Sequence, residues 1–196
     1  MKIVFLGDSL TYGYGVRRKS AWVTMIDEQG EYEAVNKGIN GDTTGGMLAR
    51  FKSDVLDLNP NIVHIMGGAN DIICDANEDM IKPNIMAMIH QAQASGIKPI
   101  LGLAPSKFGS NIAEEWNTFS DFNRVEQVMM KYREWLFKFC YAFNLEYIDY
   151  HSKILEHLES NAGEELFLDG LHFSEVGNRL MADIFLDYLR DKRQTL

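Results

Sequence analysis

The chain has 196 residues, 46% hydrophobic and 24% charged, enough for one globular domain (residues 1–196) with a sizeable core. Its 28 acidic and 19 basic side chains give a formal net charge of -9. That balance argues against nucleic acid or an anionic membrane surface as the main partner, since both need clustered Lys and Arg.

Taken in chain order, KIVFLG (residues 2–7) is a short apolar run with β-branched residues and predicts a first strand. No charged and apolar leader precedes it, and no apolar stretch approaches the ~18 residues of a membrane span, so no stable membrane association is expected. Gly7, Asp8 and Ser9 stand just past this strand. The GYG run at Gly13–Gly15 lacks the ending of a phosphate loop, and Arg17-Arg18-Lys19 reads as a solvated helix entrance. Residues 21–29 predict a helix stopped by Gly30. YEAVNKG is the second strand; Asn40-Gly41-Asp42 follows it, then a helical face marked by Leu48, Phe51 and Val55. NIVHIMGG is the third strand, with His64 as a core histidine, and it delivers Gly67-Gly68-Ala69-Asn70-Asp71, where Asp71 is a candidate helix cap. A helix over residues 80–95 ends at Gly96.

KPILGLA is the fourth strand. The segment 104–122 after it carries Phe108, Trp116 and Phe119, which either wall an acyl pocket or pack onto the helix that follows. That long helix, about 121–143, has Phe122, Val125, Val128, Met129, Tyr132, Leu136, Phe139 and Phe143 on one side. NLEYIDY is the fifth strand, with His151 just beyond it as a secondary candidate to line a site. Asp169 and His172 lie between an acidic stretch and a final helix after Ser174, whose Val176, Leu180, Met181, Ile184, Phe185 and Leu189 are expected to face inward. Cys74 and Cys140 are far apart without ligand-like spacing, and read as buried free thiols of a reducing, cytoplasmic compartment.

Near-continuous apolar strands alternating with amphipathic helices predict an α/β protein: a three-layer α/β/α sandwich around a parallel five-stranded sheet. A flavodoxin-like strand order, 2-1-3-4-5, is expected. Ligands then collect beyond the carboxyl ends of the strands, near the point where the order reverses. The loops after the first three strands converge there. Ser9 supplies a hydroxyl, Gly41 an unobstructed backbone N–H, and Asn70 a neutral amide donor. Acyl transfer needs such a set, because charge develops on the carbonyl oxygen. A hydroxyl also needs a base. The Asp-x-x-His spacing of Asp169 and His172 lets a tight loop fold the carboxylate onto Nδ1, leaving Nε2 to take the serine proton. Asp8 is assigned a structural role.

GDSLTYG, NGDTT, GGAND and DGLH, in this order, resemble the four sequence blocks of the GDSL esterase/lipase family, also called SGNH hydrolases. The resemblance spans Gly7 to His172. It implies Ser9 as nucleophile, His172 as general base and Asp169 as its orienting partner. It further implies an oxyanion hole of the Ser9 and Gly41 N–H groups with the Asn70 side chain. The implied reaction is hydrolysis of small or medium acyl esters through an acyl-serine, with no metal and no organic cofactor. Lysophospholipids, thioesters and O-acetylated carbohydrates stay open as substrates. A non-catalytic ligand-binding domain on the same fold is the alternative from another class.

Overall fold

The computed structural model describes residues 1–76, 78–105, 112–161 and 165–194. Five parallel strands form one sheet: β1 (Lys2–Gly7), β2 (Glu33–Gly38), β3 (Ile62–Met66), β4 (Lys98–Leu103) and β5 (Glu146–Asp149). Their order is β2-β1-β3-β4-β5, as the alternating pattern predicts. β1 lies in register between its neighbours, Gly7 pairing with Gly38 on one side and Met66 on the other. These three strand ends therefore stop at one level.

Period-two alternation sorts the strand residues to two faces. Val4, Leu6, Val63, Ile65, Leu101 and Leu103 belong to one buried cluster. Ile3, Phe5, Ile62, Met66, Ile100 and Ile148 belong to the other. The helices, in chain order, are α1 (Ser9–Tyr12), α2 (Trp22–Glu28), α3 (Thr44–Ala49), α4 (Phe51–Asp54), α5 (Ala69–Ile73), α6 (Glu78–Ala94), α7 (Glu114–Phe119), α8 (Phe122–Ala142), α9 (Tyr150–Ser160) and α10 (Glu175–Gln194). The first cluster is closed by α3 to α6 and α8, the second by α2, α9 and α10. This gives the three-layer sandwich, with both faces of the sheet dry.

Four expectations need correction. The helix after β2 is two short helices that meet at Arg50, which has φ -101° and ψ 4° and turns its side chain back toward the sheet. Phe143 and Val176 are exposed, not inward, because each lies at the frayed edge of its helical stripe. Cys74 is exposed at the end of α5; only Cys140 is a buried thiol. The fifth strand, expected over residues 144–150, spans only Glu146–Asp149, and the chain is helical from Tyr150, with Asp149 accepting the Ser152 N–H at its start. None of the helices among the described residues is long and apolar enough to cross a membrane.

Candidate active site

The carboxyl edge of the sheet is built by glycines that let the chain turn without obstruction. A Cβ on Gly7 would lie 2.1 Å from Thr11 Oγ1 and 2.6 Å from the Met66 carbonyl oxygen. Only glycine allows α1 to begin directly over the end of β1. Asp8 accepts the Leu10 N–H at 2.9 Å and caps that turn. Ser9 is therefore the first residue of α1, buried behind its neighbours. After β2, residues 39–42 form a turn closed by the Asp42 N–H donating to the Ile39 carbonyl at 3.1 Å. Gly41 holds its third position with φ +75°, a conformation that favours glycine there. Neither the Ser9 nor the Gly41 backbone N–H has an acceptor among the described residues.

The third loop opens α5. Asn70 donates one amide N–H to the Asp42 carbonyl at 2.9 Å, which leaves its second N–H for another acceptor. Asp71 accepts both the Thr44 N–H (2.9 Å) and the Thr44 hydroxyl (2.7 Å). It caps the start of α3 rather than its own helix, tying the second loop to the third.

The Asp-x-x-His segment occupies a hairpin tip. Leu168 N–H donates to the His172 carbonyl, and Ser174 N–H to that of Leu166. Inside the tip Asp169 Oδ1 accepts the Leu171 and His172 N–H groups at 3.0 and 2.7 Å. Its Oδ2 lies 2.8 Å from His172 Nδ1. That contact fixes the proton on Nδ1, so Nε2 faces Ser9 Oγ as an acceptor at 3.1 Å. Burial raises the Asp169 carboxyl, but the bonds from His172 and Leu171 outweigh it and hold the group below the usual carboxylate range. Asp8 is the opposite case. Burial, reinforced by the nearby Asp42 and Asp71 carboxylates, pushes it up to about 7 against the Leu10 N–H.

Ser9, Gly41, Asn70, Asp169 and His172 thus all stand at the edge where the motifs put them. Arg50 escaped sequence reasoning, as did the bond that Trp116 makes. Arg50 donates to the Gly7 carbonyl (3.0 Å), the Lys37 carbonyl (2.8 Å), Asp42 (2.8 Å) and Asp54 (2.7 Å). Its planar fork splices the ends of β1 and β2 to the Gly41 turn. The Trp116 indole N–H donates to Asp169 Oδ2. Of the three aromatics in the segment after β4, Phe108 lies outside the described residues, Phe119 is exposed, and Trp116 packs against the core. His151 is buried at the start of α9, and His64 is buried in the core with its Nε2 3.2 Å from the Tyr150 hydroxyl.

A parallel 2-1-3-4-5 sheet with Ser9, His172 and Asp169 joined by hydrogen bonds at its carboxyl edge is the α/β/α architecture of the SGNH class. A family model described as the GDSL-like lipase/acylhydrolase family matches residues 5–180, and the chain belongs to that family of ester hydrolases. It is 30% identical over 122 residues to Esterase TesA of Pseudomonas aeruginosa, a match covering 59% of this chain and 61% of that protein. Against the solved lipase/acylhydrolase from Enterococcus faecalis the TM-score is 0.74 at 27% identity, covering 97% of this chain and 96% of the other. Against the acetyl xylan esterase AlAXEase the TM-score is 0.75 at 26% identity, covering 96% and 99%. The chain spans about half to three-fifths of the length of the curated relatives it matches.

Proposed function

We propose that the chain hydrolyses small or medium acyl esters through an acyl-serine at Ser9, and that residues 1–196 act as one domain. The observation that carries this reading is the unbroken relay Ser9 Oγ–His172 Nε2–Asp169 Oδ2, at 3.1 and 2.8 Å. Ser9 Oγ attacks the ester carbonyl while its proton passes to His172 Nε2. Asp169 holds the imidazole in place and stabilises the imidazolium. The carbonyl oxygen, now negative, is received by the Ser9 and Gly41 N–H groups and the second Asn70 N–H. Collapse expels the alcohol, which takes its proton from His172. Water then attacks the acyl-serine with His172 again as base, and the acid leaves.

The acetyl xylan esterase name of the solved relative AlAXEase supports a short acyl group. The test is release of p-nitrophenol from its acetate, butyrate and octanoate esters. Wild type is expected to turn over the acetate and butyrate best. Ser9→Ala is expected to lower kcat by about 10³-fold or more. Equal rates for the two proteins would refute the nucleophile, and no turnover of any ester by wild type would favour a ligand-binding role.

A further inference from the structure

Trp116 lies 53 residues before Asp169, yet its indole N–H donates to Asp169 Oδ2 at 3.2 Å. The same oxygen faces His172 Nδ1 at 2.8 Å. A second bond joins the two segments, the Ala113 N–H donating to the Asp169 carbonyl at 3.0 Å. The start of α7 is thereby fastened to the hairpin tip at both the backbone and the side chain of one residue. The rings of Trp116 and His172 also approach, with centroids 5.8 Å apart and planes at 55°. Trp116 and Ile112, both partly buried, also pack against the core cluster that α8 closes.

We infer that Trp116 is a positioning residue for the Asp169–His172 pair. Oδ1 is held by two N–H groups of its own loop, which fix one end of the carboxylate. Without a further donor, Oδ2 takes its orientation only from the imidazole that it is meant to orient. The indole N–H supplies an external reference, anchored in the core through the rest of the Trp116 ring. A carboxylate held at both oxygens keeps Nδ1–H aligned while the imidazole gains and loses its second proton. The indole N–H reaches Asp169 and not Ser9, so the effect of removing that N–H while keeping an aromatic ring runs through Asp169.

This inference rests on the proposed Ser9–His172–Asp169 roles, and the experiment keeps the two apart. Trp116→Phe retains an aromatic ring and removes the N–H. On p-nitrophenyl acetate it is expected to lower kcat about 10-fold with KM within about twofold, the loss of one bond to a charged group. Placed on Asp169→Ala, the same change is expected to have less than about a twofold further effect, because the partner is gone. The low-field proton NMR signal of the His172 Nδ1–H should broaden or shift in Trp116→Phe. An equal loss in both backgrounds, or an unchanged kcat and NMR signal, would overturn the positioning role. If Trp116→Phe does not fold, Trp116→Met gives the same comparison with an unbranched apolar side chain. Failure of Ser9→Ala to abolish turnover would instead sink the underlying reading, whatever Trp116 does.

Discussion

Asn70 illustrates how little freedom the site leaves its donors. One N–H is committed to the Asp42 carbonyl at 2.9 Å, so the other is fixed in direction by the same planar amide. Asn70→Ala is expected to lower kcat by about 10²-fold with little change in KM, the signature of a donor used in the transition state. Steady-state kinetics on p-nitrophenyl acetate decides this, and a change confined to KM would count against it. Asp169→Asn is expected to cost more, up to about 10⁴-fold in kcat, because an amide beside Nδ1 permits the wrong imidazole tautomer. These residues were legible in the sequence because each belongs to a short motif at a strand end. The bond from Arg50 to the Gly7 carbonyl and that from Trp116 to the Asp169 carboxylate were not. They span 43 and 53 residues of chain, and no local spacing announces such a bond.

Among the elements, the break between α3 and α4 has a clear cause. Leu48, Phe51 and Val55 suggested one continuous face, and two of them, Phe51 and Val55, are indeed fully buried. Propensity carried no sign that Arg50 would interrupt the helix in order to reach two strand carbonyls. Arg50→Lys keeps the charge but loses the fork, leaving partly buried carbonyls and Asp42 under-satisfied. We expect it to destabilise the fold by about 2–4 kcal/mol, measured as a lowered urea midpoint with an unchanged slope. It should also lower kcat, since the Gly41 turn hangs from the same splice. Full activity in Arg50→Lys would separate the splice from the turn. The strands and the long helices, by contrast, were readable from periodicity alone. α9 is not legible because it starts directly at the end of β5, Asp149 closing the strand and Tyr150 opening the helix with no punctuating glycine or proline between them.

For the molecule as a whole, two buried titratable groups set opposing pH dependences. Asp8 is raised from about 3.8 to about 7, so its contribution to stability is present below pH 4 and is lost as pH rises toward 7. His64 is lowered by burial from about 6.5 to about 3, so its contribution is present above pH 6.5 and is lost as pH falls toward 3. Each amounts to something on the order of 4 kcal/mol, and between about pH 4 and 6.5 the two slopes have opposite sign. The combined contribution of these two groups should therefore change little over that window. Asp8→Asn keeps the acceptor for the Leu10 N–H and removes the charge, so its stability should climb with pH across the same range. Urea titrations at pH 4.5, 5.5 and 6.5 test this. A parallel response of the two proteins would show that Asp8 is not the compensating group.

Ser9 and the imidazole it faces are 163 positions apart, one just past β1 and the other just before α10. On the ribosome Ser9 emerges long before His172, so on the proposed reading its hydroxyl stays chemically ordinary until the hairpin that carries the imidazole has folded against it. Turnover of a chromogenic ester would then be a clock for that one event, starting only when the two distant stretches of chain meet.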